Sequence, residues 1–192
     1  MTAKPKATVE DLYQVRGKAE LVDGELLLLS PTGHLPNRAA GTIYLRLREY
    51  ESSVKMGLAY TDNAGFLVDL PRRQSFSPDA AFHLRPGFGG MFLEGAPVFA
   101  VEVRSESDYG KRGEREMAAK RADYFAAGTL VVWDVDVLRE EVIRAFRSTD
   151  PETPAVFRRG EIADAEPALP GFRMPVEDLF EEGLTFLDPP LK

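Results

Sequence analysis

Apolar positions in this chain follow two rhythms, alternate residues in some stretches and every third or fourth residue in others, the periods of half-buried strands and helices. Residues 1–16 read as a polar start with a short helix, VEDLYQV, for which Thr8 is the N-cap. In ELVDGELLLLS, residues 20–30, two apolar segments flank Asp23-Gly24, a dipeptide made for the tight turn of a hairpin. Pro31 to Pro36 is a loop, after which Asn37 caps a helix that runs through Met56 and stops at Gly57. Its stripe of Ala40, Ile43, Leu47, Tyr50 and Val54 has the spacing of a helix with one buried face.

Strands are expected over 58–70 and 75–84, followed by a Gly-rich loop, RPGFGGMFLEGAP. The next segment, FAVEVRSESD (99–108), starts as a core strand with Phe99, Ala100, Val101 and Val103, yet Glu102 and Arg104 alternate with them. Residues 111–127 read as a helix closed by Gly128. TLVVWDVD, EEVIRAFR and VFRRGEI read as three more strands, and MPVEDLF as a short terminal helix. The strand–helix–strand passage from 97 to 134 implies one parallel crossover inside a mixed sheet. This is an α/β architecture without the repeated rhythm of a dinucleotide-binding fold.

Composition changes this picture little. The chain of 192 residues is 44% hydrophobic and 29% charged, as expected of one globular domain over 1–192, with 1–16 as an N-terminal extension and 161–192 as an acidic C-terminal segment. No apolar run approaches the ~20 residues of a membrane helix, and no secretory signal is visible, so a cytoplasmic protein without a membrane partner is expected. The absence of cysteine excludes a disulfide framework and a thiolate zinc site. The net charge of -7 argues against a general nucleic-acid coat. Its distribution softens that: residues 161–192 carry eight acids against two bases, whereas 104–121 carry six bases against four acids.

Several chemistries find no support. GFGG at 87–90 lacks the strand-to-helix setting and spacing of a phosphate cradle. His34 and His83 are far apart and lack metal-ligand spacing. No G-x-S-x-G elbow exists. Carboxylates on strands remain: Asp79, in Ser77-Pro78-Asp79, and Glu102 on the next strand. If those strands are neighbours, two like charges converge and call for a cation; hard oxygen donors suit Mg²⁺ or Mn²⁺. On the following helix Met117, Lys120, Tyr124 and Ala127 share a face, which places Lys120 in the inward stripe opposite those acids. Two solvent-facing strand acids and a lysine snorkelling along the core edge would leave the same pattern.

These residues together resemble the Uma2 family, which is assigned to the endonucleases of the PD-(D/E)XK restriction-endonuclease-like superfamily. The matching features are ELVDGEL (20–26), the Ser30-Pro31 and His34 that follow, SPDAAF (77–82), VEVRSES (101–107), Lys120 with Tyr124, Gly128, and VVWDVD (131–136). The resemblance implies a restriction-endonuclease-like mixed β-sheet flanked by helices and an acid–acid–lysine site. Asp79 matches the aspartate of the first half-motif, and Glu102 the acid of the second. Arg104 stands where the superfamily's lysine is expected, and an arginine is a poor base; in this family the lysine lies on the helix, where Lys120 matches it. Glu20 matches an accessory acid, and the main chain of Val103 a metal ligand beside Asp79 and Glu102. Arg104 and His34 are substrate-binding candidates.

The function so implied is metal-dependent hydrolysis of phosphodiester bonds, with Mg²⁺ or Mn²⁺ as cofactor and DNA as the nucleic-acid partner, by a protein that acts as a homodimer if it cuts both strands. The competing expectation is a non-catalytic binding or assembly module that keeps the fold and uses the acids and Lys120 as an ion pair.

Overall fold

The computed structural model describes residues 5–84 and 92–180. The first element, α1 (Val9–Tyr13), opens with a capping box: the Asp11 amide donates to the Thr8 hydroxyl, and the Thr8 amide donates to the Asp11 carboxylate at 2.8 Å. β1 (Ala19–Val22) and β2 (Glu25–Leu28) form the expected hairpin. Asp23 and Gly24 between them adopt φ of 53° and 75°, the pair of left-handed residues that a type I′ turn requires.

The long helix α2 (His34–Val54) begins three residues before the expected Asn37 cap. Gly33 is its N-cap, and the Asn37 amide donates to the Gly33 carbonyl at 3.0 Å, so Asn37 makes an intrahelical bond instead of capping. Pro36 fits the first turn because amides there have no helical partner to lose. At the other end Lys55, not Gly57, takes the left-handed position, with φ 54°. Gly57 answers a different need: a Cβ there would stand 2.6 Å from the Phe82 ring and 2.7 Å from the His83 carbonyl.

The two strands expected over 58–70 and 75–84 are each broken. The first becomes β3 (Leu58–Thr61) and β4 (Phe66–Leu67), parted by a turn in which Asn63 has φ 67°. The second becomes β5 (Ser75–Phe76) and β6 (Ala80–His83), interrupted at Pro78, which has no amide to give a ladder. The GFGG segment, 87–90, lies outside the described residues.

β7 (Leu93–Glu94) and β8 (Phe99–Val103) follow, then a 3₁₀ turn, Glu106–Asp108, and α3 (Gly110–Ala126). After these come β9 (Val131–Val135), β10 (Ile143–Arg147), β11 (Asp150–Phe157), β12 (Ile162–Asp164), β13 (Arg173–Pro175) and a terminal 3₁₀ turn, Val176–Leu179. VFRRGEI is therefore not a strand but the end of β11, a turn and the start of β12. β11 carries Pro151 and Pro154, and its place at the sheet edge explains how it tolerates them.

The main sheet has the order β11-β10-β9-β8-β6-β3. β8 and β9 pair in parallel, joined by α3, and the other neighbours are antiparallel. This is a mixed α/β sheet flanked by helices, as the sequence pattern implies. The expected crossover lies at its centre.

The two faces of the sheet are covered by different elements. Phe99, Val101 and Val103 of β8 point to the face covered by α2, where they pack with Ile43, Leu47, Phe82 and Trp133. Ala100 points to the other face, toward Tyr124 of α3 and Val132. Alternation then puts Glu102 and Arg104 on the α3 face. Among the described residues no helix is long and apolar enough to cross a membrane.

Candidate functional site

Glu102 is buried at the C-terminal end of β8, where an unpartnered carboxylate is costly. Two residues of α3, one helical turn apart, reach down to it. The Lys120 ammonium donates to Oε2 at 2.7 Å, and the Tyr124 hydroxyl donates to Oε1 at 2.7 Å. Tyr124 is itself fixed by stacking on Phe76, with ring centroids 3.9 Å apart. Lys120 therefore occupies the inward stripe its spacing implies, and its charge is met by two acids: the same ammonium lies 2.9 Å from Oε1 of Glu20, on β1.

Glu20 is the deepest of the acids, with a side chain 1% exposed. Besides Lys120 it accepts the Ser77 amide at 2.9 Å and a bond from Arg73. Arg73 continues to Asp123 of α3 at 2.8 Å. The hairpin, the β5–β6 break and α3 are thus tied together beneath the site.

Asp79 lies immediately before β6, on the strand that pairs with β8. Its amide donates to the Val101 carbonyl at 3.0 Å, and its Oδ2 accepts the Val103 amide at 2.8 Å. These two bonds hold the carboxylate beside Glu102. Its Oδ1 receives the ammonium of Lys18 at 2.7 Å, which also lies 2.7 Å from Asp62. Each front acid thus shares a lysine with a second acid behind it: Asp79–Lys18–Asp62 and Glu102–Lys120–Glu20.

The proton affinities follow from this crowding. Burial pushes the Glu102 carboxyl up; Lys120 pulls it back, Asp79 and Glu20 push it further, and the outcome is about 7 against an ordinary 4.5. Burial also acts on Glu20, but Lys120 and Arg73 outweigh it and hold Glu20 below its usual range. Lys120 loses by burial and gains more from Glu102 and Glu20, so it stays protonated at any physiological pH. Glu102 releases its proton at lower pH when unfolded than when folded, so its contribution favours folding fully below 4.5 and disappears as pH rises toward 7. The metal-free protein should therefore be less stable at pH 7.5 than at pH 5, by up to ~2.5 kcal/mol, and melt at a lower temperature. Glu102→Gln should remove that part of the slope in EDTA-treated samples. Equal slopes in the two proteins would assign it to another group.

Asp79, Glu102, Val103, Glu20, Lys18 and Lys120 line one cleft of about 810 Å³. Its walls carry six cations (those two lysines with Arg72, Arg73, Arg112 and Arg115) against five carboxylates, a positive balance in a chain of net charge -7. Leu27 and Leu28 of the hairpin, 49% and 68% exposed, also line the cleft. Glu161, Asp164, Glu166, Glu177 and Asp178 of the acidic C-terminal segment are not among the lining residues.

Two expected substrate contacts are placed elsewhere. The Arg104 guanidinium is 2% exposed and engaged with Asp134 of β9, at 2.7 Å from Nε, and with Glu114 of α3. It borders a separate depression with Tyr109, Asp136 and Arg144. The arginine that follows β8 is an architectural pin, because all three of its nitrogens are committed to carboxylates. His34 is exposed at the first turn of α2 and does not line the cleft, although Ser30, Pro31 and Thr32 do.

Sequence reasoning missed Lys18, Asp62, Arg73 and Asp123. Lys18 and Arg73 are cations flanking strands of the acid-bearing units, but nothing in their local spacing marks them.

Among the described residues no group of three or more His, Cys, Asp or Glu side chains gathers as a ready-made metal cage. The donors present are two carboxylates, each with lone pairs beyond those its lysine and hydrogen-bond partners take. That set fits Mg²⁺ or Mn²⁺, which accept one or two carboxylates and complete their shell with water and substrate oxygen. Burial raises the proton affinity of Glu102, and Asp79 and Glu20 raise it further; a divalent ion there would relieve that like-charge crowding.

The profile of the Uma2 family, described as "Putative restriction endonuclease", matches residues 8–177, a span that includes every acid and lysine of the cleft. No curated protein matches the chain. Among solved structures, a "putative nuclease belonging to DUF820" from Anabaena variabilis ATCC 29413 aligns with a TM-score of 0.70 at 14% identity, over 90% of this chain and 97% of that one. At that identity the likeness is one of fold.

Proposed function

The chain belongs to the Uma2 family of restriction-endonuclease-like proteins, and on that footing we propose that it is a metal-dependent nuclease that hydrolyses phosphodiester bonds in DNA. The observation that carries this reading is the Lys120 ammonium held 2.7 Å from Glu102 and 2.9 Å from Glu20 on the floor of a cleft shared with Asp79.

Asp79 and Glu102 would hold the ion, with the Val103 main chain beside them. Mg²⁺ or Mn²⁺ bound there would lower the pKa of a water and offset charge on a phosphate. The protein's own groups do the rest. The Val103 amide orients Asp79, and the Tyr124 hydroxyl orients Glu102. Lys120 sets a fixed positive charge where negative charge grows on the phosphorane, without reorganisation at the moment of reaction. Arg112 and Arg115, exposed on the first turns of α3 along the cleft, are placed to meet the phosphates on either side of the cut.

The test is incubation of plasmid, single-stranded DNA and RNA with Mg²⁺ or Mn²⁺, beside Glu102→Gln. Metal-dependent cleavage by the wild type and none by the variant is the expected result; cleavage of RNA alone would replace the substrate. The pairing of Glu20, Asp79 and Glu102 with lysines favours a second reading, a non-catalytic module that uses the acids as ion pairs. Melting separates the two. An ion bound only by the folded protein raises the melting temperature, and by more as its concentration exceeds its Kd. A melting temperature indifferent to millimolar Mn²⁺, or raised equally in Asp79→Ala, would favour the second reading.

A further inference from the structure

The two lysines of the site are not equivalent. Behind Lys120 lies Glu20, 1% exposed and also bonded to Arg73 and the Ser77 amide. Both acids that Lys120 holds are themselves buried, so it has no second seat toward solvent. Behind Lys18 lies Asp62, 31% exposed, in the turn between β3 and β4. The Lys18 ammonium is 2.7 Å from both Asp79 and Asp62, so it already has a second seat on the open side. The Asp62 carboxylate is itself steadied by the Asn63 amide at 2.8 Å.

Both Asp79 oxygens already carry a partner. Its Oδ2 is bonded to the Val103 amide within the β6–β8 junction, and its Oδ1 is the atom that Lys18 holds. An ammonium and a divalent ion on one carboxylate oxygen repel strongly in a poorly solvated place. We propose that Lys18 is the internal counter-cation of Asp79, which an incoming divalent ion displaces onto Asp62. The lysine keeps Asp79 neutralised and oriented while no ion is bound. Loading the ion moves the ammonium onto Asp62, the more exposed of its two partners. The inference rests on the reading of Asp79 as a metal ligand, and adds that metal affinity is set by competition with a residue of the chain itself.

Two measurements test it without an activity readout. In the first, the wild-type protein is labelled briefly with an amine-acylating reagent, with and without saturating Mn²⁺, and mapped by mass spectrometry. Lys18 should become at least about fivefold more reactive with Mn²⁺, while Lys120 stays protected in both. Equal protection of Lys18 in the two states overturns the proposal. In the second, calorimetry compares Mn²⁺ binding to wild type, Lys18→Met and Arg72→Met, the last removing another cation of the same cleft. Lys18→Met should bind about tenfold more tightly and Arg72→Met within about twofold of wild type. Equal tightening in both variants would reduce the effect to the general field of the cleft, and unchanged or weaker binding in Lys18→Met would overturn displacement. If neither wild type nor Lys18→Met binds Mn²⁺, the metal reading of Asp79 fails and this inference falls with it. If both bind alike, only the role of Lys18 fails.

Discussion

Lys120→Met is expected to lower cleavage by about 10²–10³-fold, the usual cost of removing one preorganised charge from a transition state. The same change should destabilise the metal-free protein by ~3–5 kcal/mol, because it leaves buried acids without their shared cation. Both effects follow from one ammonium that lies within 3 Å of Glu102 and Glu20. Methionine keeps most of the apolar stem, so packing against the sheet is largely retained. The two roles come apart in a double variant. Adding Glu20→Gln removes one of the stranded charges and should restore much of the stability, as read by urea unfolding, while cleavage stays low. If the double variant recovers both, Lys120 acts only by holding the floor of the site together. If Lys120→Met cleaves as wild type does, the lysine has no part in the chemistry.

Arg73→Met should be nearly as damaging to the fold, again by ~3–5 kcal/mol. The Arg73 side chain is 5% exposed, and its guanidinium bonds Glu20 on one side and Asp123 on the other, over the face of Phe76. No water can replace it cheaply at that depth. Its sequence neighbour Arg72 is 48% exposed, with its nearest carboxylate oxygens at 3.6 and 3.8 Å, and Arg72→Met should cost under ~0.5 kcal/mol. Urea midpoints for the two variants measure the contrast. Similar losses for adjacent arginines would mean that burial does not govern this network.

These two residues also show where a sequence can and cannot be read. Lys120 was legible because a helix repeats: a lysine three and four residues from Met117 and Tyr124 must face inward, and an inward lysine needs acids. Glu102 was legible because a polar residue in an otherwise apolar strand either meets water or meets a partner. The hairpin was legible from Asp23-Gly24, since few residue pairs accept two positive φ values in succession. Arg73 and Lys18 gave no such sign. Their partners are 53 and 61 residues away, and only the pairing of sheet strands brings them together. The breaks in the strands over 58–70 and 75–84 were missed for a related reason, since apolar alternation continues across a turn that tertiary contacts impose. Arg104 misled because alternation gives its face but not its partners. Asp134 and Glu114, which claim its guanidinium, lie on two other elements.

The pin formed by Arg104 has a consequence for how far apart the acid and the lysine can stand in the chain. Arg104 ties the end of β8 to Glu114, in the second turn of α3, and Gly113 lies so close to Asp108 that a Cβ there would be 2.3 Å from the Asp108 carbonyl. From Glu114 to Lys120 the path is continuous helix, with each residue advancing the direction of the side chains by ~100°. One residue inserted in that interval would turn the ammonium away from Glu102, whereas one inserted between Arg104 and Ser105 leaves the pin and the Ser105–Asp108 cap in place and lengthens the connection. Linear distance from Glu102 to its lysine is therefore a loose quantity in this architecture. What is conserved by the physics is an angle.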